Sequence, residues 1–138
     1  MIYKFYDTCS LLLKANHLFD DENVRPVISS ITLQELEEIK TSRVKDDETK
    51  FAARQVLRTL TENKGAYDIH IYREAMVEKL LEITDFPVNN DFRILACAFD
   101  YDYFEHPDET VFVTNDLALA QIANLFFGDD SIESVNEN

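Results

Sequence analysis

The sequence predicts an α/β fold with three layers, α/β/α, around a mainly parallel central sheet. Short apolar stretches alternate with longer stretches of helical periodicity along the chain, and this alternation is typical of parallel strands covered by helices on both faces. The chain has 138 residues, of which 46% are hydrophobic, and only two Gly and three Pro interrupt it. These values predict a single compact domain over residues 1–138 with its own core.

The first strand and helix are predicted at the N-terminus. The stretch 2–6 is short, apolar and aromatic, which favours a buried strand that ends at Asp7. Thr8 and Ser10 are both suited to cap a helix that begins near Leu11. This order places Asp7 at the boundary between the strand and the helix.

A second strand and helix follow in the same order. Residues 25–29 form an apolar stretch with Pro26 near its start, where a missing N–H donor is tolerated. The residues from Thr32 to Glu35 match a capping box, so we expect the next helix to open at Thr32.

A long amphipathic helix and a short strand are predicted next. Residues 46–48 give the helix an acidic first turn, which favours its dipole, and Gly65 lies just beyond its expected end near Asn63. The alternation over 67–71 indicates a short strand. The core face of the helix is expected to carry Phe51, Val56, Leu57 and Leu60.

The remaining elements continue the alternation. A helix is expected over 74–83, and a second one, with an apolar core at 94–99, follows Asp91. The clearest central strand is 110–113, and the helix after it is expected to reach residue 126 and stop at Gly128. Residues 129–138 are predicted to be an edge strand or a loose acidic tail.

Composition excludes several classes of protein. Cys9 and Cys97 lie far apart, and neither belongs to a metal-binding cluster, so a zinc site has no support. The N-terminal residues lack the apolar run of a signal peptide, and no stretch approaches the roughly 18 apolar residues of a membrane span. We therefore expect a cytoplasmic protein without membrane contact. The 13 bases and 27 acids give a net charge of −14, which repels nucleic acid at long range.

Four carboxylates are expected to meet at one edge of the sheet. Asp7 directly follows the first strand, and Asp116 closely follows the strand at 110–113. The carboxyl ends of parallel strands share one edge, and sites in such sheets form there. Asp91 lies at the start of a helix and Glu35 one turn into another, and both helices begin at that same edge.

Carboxylates gathered in this way favour a divalent cation. Like charges in one cleft raise each other's pKa values unless a cation neutralises them. Mg²⁺ and Mn²⁺ prefer oxygen ligands of this kind. Such an ion can generate hydroxide from bound water and stabilise charge on an attacked phosphate, which predicts phosphodiester hydrolysis without a Ser, Cys or His nucleophile.

Each carboxylate taken alone has a simpler interpretation. Asp7, Asp91 and Asp116 are all plausible helix caps, and Glu35 alone is typical of a solvated helix position. The metal hypothesis depends on the four together, and in particular on Asp7 and Asp116 ending strands on the same sheet edge.

The segments around the four carboxylates resemble the signature stretches of PIN domains, in the same order. They are residues 6–12, 31–36, 90–96 and 113–116. The resemblance implies a PIN-like nuclease that cleaves single-stranded RNA, with Mg²⁺ or Mn²⁺ held by the same four carboxylates as catalytic residues. It also implies that Thr114, with Thr8 or Ser10, orients ligands or water from just outside the site. The segment containing Asp91 and Arg93 is most similar to PIN domains attached to PhoH-type ATPases.

Some basic residues could contact RNA phosphates. Lys50, Arg54 and Arg58 recur every four residues on one predicted helix face. This pattern is typical of a solvated face paired with nearby acids, and a phosphate-binding stripe is the functional alternative. Arg93 is a further candidate because it lies beside Asp91.

Two departures from the family pattern favour a rival hypothesis. Many members have Asn where this chain has Cys9, and no further acid follows Asp116 within residues 117–119. The rival is a PIN-like module with weak or no catalysis, acting in protein interaction or as the toxin half of a toxin–antitoxin pair with a basic antitoxin as its partner. A homodimer through the aromatic residues 101–104 is a related possibility. Receiver-domain and haloacid-dehalogenase folds fit poorly, because Asp7 is followed by Thr-Cys-Ser.

Overall fold

The protein is described by a computed structural model over residues 1–105, 108–128 and 131–135. The five strands are β1 (Ile2–Tyr6), β2 (Val24–Ser29), β3 (Asp68–His70), β4 (Thr110–Val113) and β5 (Ile132–Glu133). The six helices are α1 (Thr8–Lys14), α2 (Ser30–Lys40), α3 (Asp47–Glu62), α4 (Glu74–Leu81), α5 (Asn90–Glu105) and α6 (Leu117–Ala123). A single 3₁₀ turn (Ala15–His17) follows α1.

The five strands form one sheet in the order β3-β2-β1-β4-β5, and every pair is parallel. This confirms the predicted fold class and the parallel sheet. The last strand, β5, lies at the edge of the sheet and pairs with β4. Residues 129, 130 and 136–138 of the predicted edge strand or tail lie outside the described residues. None of the helices in the described ranges is long and apolar enough to cross a membrane.

Two hydrophobic cores lie on opposite faces of the sheet, because neighbouring residues in a strand point to opposite sides. In β1, Phe5 belongs to the core with α4, α5 and α6, whereas Tyr6 belongs to the core with α1, α2 and α3. Phe112 and Val113 of β4 divide in the same way. These central strands are buried from both sides, and this explains their continuous apolar sequence.

Two helix starts differ from prediction. The helix α1 begins at Thr8 rather than near Leu11, because Asp7 is its N-cap and accepts a hydrogen bond from the Ser10 N–H at 2.8 Å. The capping box predicted at Thr32 is wrong. Ser29 caps α2 instead, accepting from the Thr32 N–H at 3.1 Å, so that Thr32 and Glu35 both lie inside the helix.

Two other details of the helices also needed correction. Phe51 is 52% exposed, because Ala53, Val56 and Leu60 form the buried stripe of α3 and Phe51 points to the other side of the helix. The last helix ends at Ala123 rather than at residue 126, and residues 124–126 form a turn.

Candidate carboxylate site

The central strands deliver Asp7 and Asp116 to one edge of the sheet. Tyr6 pairs with Val113 in the register of β1 and β4, so both strands end at the same level. The Asp7 N–H continues the pairing by donating to the Val113 carbonyl at 3.1 Å. Asp7 is 4% exposed, whereas Asp116, three residues beyond β4, is exposed. The expected meeting of the two strand ends is therefore confirmed.

Asp7 and Asp116 both cap helices with one carboxylate oxygen. Oδ1 of Asp7 accepts from Ser10, and Oδ1 of Asp116 accepts from the Ala118 and Leu119 N–H groups at 2.9 and 3.1 Å. Within the described residues, the second oxygen of each accepts no hydrogen bond. The capping interpretation is thus correct for both residues, and it leaves one oxygen of each available to a ligand.

Glu35 is held by donors from two other helices. The Thr8 hydroxyl of α1 donates to Oε1 of Glu35 at 2.5 Å, and the Asn90 side-chain amide of α5 donates to Oε2 at 3.3 Å. Arg93 in turn donates to Oδ1 of Asn90 at 2.9 Å, and Thr32 lies 3.1 Å from the Thr8 hydroxyl. This chain of hydrogen bonds ties α1, α2 and α5 together at the edge of the sheet and fixes the Glu35 carboxylate.

The electrostatics of Asp91 show that the four carboxylates share one environment. Asp91 lies in the first turn of α5 and accepts no hydrogen bond from the described residues. Its pKa is raised by desolvation and then by the negative charges of Asp7, Asp116 and Glu35. The acids come from four separate parts of the fold, yet they act on one carboxyl group.

The donor chemistry of the site fits a hard divalent cation. One oxygen each of Asp7 and Asp116 and both oxygens of Asp91 are available, and no neutralising lysine or arginine contacts them among the described residues. In the same described ranges, no three His, Cys, Asp or Glu side chains lie together closely enough to enclose an ion. Available carboxylate oxygens without a close group of three ligands are compatible with Mg²⁺, because this ion keeps several waters and takes only one or two carboxylates directly.

Two cavities flank Asp91. The larger, about 440 Å³, reaches from Asp91 and Glu35 to the connection between α2 and α3. The smaller, about 120 Å³, lies between Asp91 and Asp116 and has largely apolar walls. Asp91 therefore lines both cavities, whereas Glu35 lines the larger one and Asp116 the smaller one.

Cys9 and Lys45 both line the larger cavity, and the pKa of Cys9 responds to the charges around it. The pKa of the exposed Cys9 thiol is raised by desolvation and by Asp7, Asp91 and Glu35, and it is partly lowered by Lys45. Lys45 is thus a positive charge within electrostatic range of this acidic edge.

The residues expected to support the site behave differently from one another. The Thr8 hydroxyl contacts Glu35 directly, and the Thr114 hydroxyl accepts from the Asp116 N–H at 3.1 Å. Ser10 contacts Asp7 through its backbone N–H only. Its hydroxyl is fully buried and has no hydrogen-bond partner among the described residues.

The basic residues predicted as a stripe lie along α3. Lys50 is 4.0 Å from Asp47, in agreement with a solvated face paired with acids, and Arg54 and Arg58 are exposed. The described residues that line the larger cavity include Lys45 and Thr49 but none of the three predicted stripe residues.

Sequence reasoning missed Asn90, Thr32 and Lys45. Asn90 precedes a predicted ligand at the start of a helix, so its position was visible, but its bond to Glu35 depends on how α2 and α5 pack. Lys45 lies in the connection between two helices, where no periodicity indicates the direction of a side chain.

The fold and this edge define a class: a three-layer α/β domain with an acidic site at the carboxyl ends of its parallel strands. The sequence model of the PIN domain matches residues 5–126, and the chain therefore belongs to the PIN-domain family. This confirms the resemblance seen in the sequence. PIN domains are generally nucleases and typically use divalent metal ions.

One solved structure illustrates the shared fold. It is VapBC2 from Rickettsia felis bound to a DNA fragment from its promoter. The similarity has a TM-score of 0.56 at 20% identity and covers 97% of this chain and 98% of that one. At this identity the likeness extends to the fold alone. No curated protein matches this chain in sequence.

Proposed function

We propose that this protein is a metal-dependent endoribonuclease that hydrolyses phosphodiester bonds in single-stranded RNA, with Mg²⁺ or Mn²⁺ as its cofactor. The observation that carries the proposal is that β1 and β4 end at the same level of one sheet edge, directly before Asp7 and shortly before Asp116. The pKa of Asp91, raised by desolvation and then by Asp7, Asp116 and Glu35, agrees with it. Membership of a family of nucleases supports the same chemistry.

The proposed catalytic residues and metal ligands are Asp7, Glu35, Asp91 and Asp116. The available oxygens of Asp7, Asp91 and Asp116 would hold the ion directly or through water, and Glu35, both of whose oxygens accept hydrogen bonds, would add its charge and a further ligand atom. When bound, the ion would lower the pKa of a coordinated water and stabilise charge on the phosphate. Thr8 would fix the Glu35 carboxylate, and Thr114 would fix the turn that presents Asp116. Ser10 would serve through its N–H, which orients Asp7.

The protein must bind RNA although its own net charge is negative. Screening limits the reach of the net charge of −14 to about 10 Å in moderate salt, so cations close to the site matter most. Arg93, which is linked to Glu35 through Asn90, is the nearest of the predicted phosphate contacts. Lys50, Arg54 and Arg58 would contact the strand further along, on α3.

The test is cleavage of an end-labelled single-stranded RNA by the purified protein with Mn²⁺, with Mg²⁺ and with EDTA. The informative variant is Asp91→Asn, and its matched control is Asp102→Asn, which makes the same chemical change elsewhere on α5. The proposal predicts cleavage that requires metal, is lost in Asp91→Asn and persists in Asp102→Asn. Cleavage that survives in EDTA or in Asp91→Asn would overturn the assignment of the site.

A second candidate is a catalytically weak PIN module that binds a basic protein partner. The net charge of −14 favours it, and so does Cys9, at a position where many members of the family have Asn. The neighbouring VapBC2 structure is a toxin–antitoxin complex, which agrees with a toxin half and an antitoxin partner. An inert wild type whose melting temperature still rises with Mn²⁺ would favour this candidate. Sedimentation of the isolated chain would test the homodimer.

A further inference from the structure

The larger cavity beside the carboxylates has the features of a binding site for part of a nucleic acid chain. Glu35 and Asp91 are among its lining residues, and its volume of about 440 Å³ is within the range of small-ligand pockets. Its walls come from α1, α2, α3, the first turn of α5 and the connection between α2 and α3. The side chains along them are Leu12, Glu38, Ile39, Ser42, Lys45 and Thr49.

Both cavities at the carboxylates have acidic linings, and they differ in whether a base is present. Among the described residues that line the smaller one there is no lysine or arginine, and Asp91 and Asp116 make it acidic. The larger one is lined by Glu35, Glu38 and Asp91, but also by Lys45 and by half-buried Leu12 and Ile39. A phosphate group is therefore better accommodated in the larger cavity, where an ammonium faces it, than in the smaller one.

Local structure holds Lys45 at this position. The Ser42 hydroxyl accepts hydrogen bonds from the N–H groups of Val44 and Lys45, both at 3.1 Å, which closes a turn between α2 and α3. Lys45 makes no ion pair with any residue of the described ranges, whereas Lys40 and Lys50 pair with Glu37 and Asp47. Its ammonium is thus available to a ligand, and the turn fixes the backbone from which the Lys45 side chain extends.

We propose that this cavity is a nucleotide subsite, in which Lys45 binds an RNA phosphate next to the scissile one and Leu12 and Ile39 pack against the attached nucleoside. The inference rests on the proposed nuclease function, because two of its carboxylates, Glu35 and Asp91, line the same cavity. The ligand class is a single-stranded polynucleotide, since the cavity continues into a site that acts on a phosphodiester. Lys45 is a substrate-binding residue in this scheme and takes no part in the chemical step.

The test measures binding separately from cleavage. A fluorescent single-stranded RNA is titrated with wild type, Lys45→Ala, Lys45→Arg and Arg43→Ala at several KCl concentrations, with Ca²⁺ in place of Mg²⁺ to fill oxygen-ligand sites. Arg43→Ala is the matched control, because it removes the same charge two residues before Lys45. The Arg43 side chain is not among the described residues that line the cavity.

We expect Lys45→Ala to bind roughly tenfold more weakly at low salt and Lys45→Arg to retain binding. The slope of log affinity against log salt should fall by about 0.7 in Lys45→Ala, the value for one lost phosphate contact on a single strand. In cleavage with Mn²⁺, Lys45→Ala should raise KM and leave kcat nearly unchanged.

The outcomes separate the subsite from the nuclease function. Equal losses of affinity and slope in Lys45→Ala and Arg43→Ala would overturn the subsite and leave the nuclease function intact. Wild type that binds RNA but cuts none would remove the nuclease function, while the binding comparison would still decide the subsite. Wild type that neither binds nor cuts would overturn both.

Discussion

Two aspartates in this protein have opposite surroundings. Asp68, on β3, accepts hydrogen bonds from Arg25 and from the Tyr101 hydroxyl, both at 2.8 Å. Burial opposes its charge, but these two donors and the Arg25 charge outweigh burial and lower the pKa of Asp68. Asp91 has no such partner in the described chain, and three carboxylates raise its pKa instead.

The difference separates a structural acid from a functional one. Asp68 closes an interaction between β2, β3 and α5, and its charge is fully used inside the protein. The charge of Asp91 is opposed by its surroundings, so the fold maintains a repulsion that a bound cation or protonation relieves. Substitutions at the two sites should therefore have opposite effects on activity and stability.

The largest expected effect is on cleavage by Asp7→Asn. Asn caps helices as well as Asp does, so α1 should remain formed, while an oxygen ligand loses its charge. We expect metal-dependent cleavage to fall by at least about a hundredfold with little change in the urea midpoint. Asp68→Asn is the comparison, and it should keep most of the activity. Equal losses of activity in the two variants would show that Asp7 acts through stability alone.

The next largest effect is on stability, in Asp68→Ala. This variant removes the charged acceptor of the Arg25 guanidinium, which then donates only to the Gly65 and Tyr67 carbonyls among the described residues. It also leaves the Tyr101 hydroxyl, on a buried side chain, without its acceptor. We expect the free energy of unfolding to fall by about 1–3 kcal/mol, a range that allows for the partial exposure of the ion pair. Urea unfolding measures it, with Asp102→Ala as the control. The loss should be present at neutral pH and disappear as pH falls through the lowered pKa of Asp68.

These two sites also show how far sequence alone could predict the structure. The strand ends at Asp7 and Asp116 were predictable, because an apolar run followed by a carboxylate marks the edge of a parallel sheet. The partners of Asp68 were not predictable, since Arg25 and Tyr101 lie 43 and 33 residues away and meet it only through strand order and helix packing. Asn90 and Lys45 belong to the same group, because the direction of their side chains depends on tertiary structure.

A smaller effect is expected on the metal-free melting temperature of Asp91→Asn. A carboxyl group with a raised pKa favours folding while it is protonated, and this contribution is lost as pH rises through that pKa. The first turn of α5 favours an acid through the helix dipole, but the raised pKa shows that desolvation and repulsion prevail. In EDTA at pH 7 we therefore expect Asp91→Asn to melt about 1–3 °C above wild type.

The pH series of the same variant makes this comparison decisive. The advantage of Asp91→Asn should shrink as pH falls through the raised pKa of Asp91, because the wild-type carboxyl group then becomes protonated. The sign is opposite to that expected for Asp68→Ala, whose defect is greatest at neutral pH. An Asp91→Asn protein less stable than wild type at pH 7 in EDTA would contradict the repulsion argument.

The smallest effect is on the reactivity of Cys9. The thiolate is the reactive form, and desolvation with Asp7, Asp91 and Glu35 raises the pKa of this exposed thiol. Iodoacetamide should therefore modify Cys9 about two- to threefold faster in Asp91→Asn than in wild type at pH 8, as followed by mass spectrometry. Cys97 serves as an internal control, because it is buried and its pKa is raised to about 12. Equal Cys9 rates in Asp91→Asn and Asp102→Asn would mean that Asp91 exerts no field at the thiol, and the carboxylates would then not share one environment.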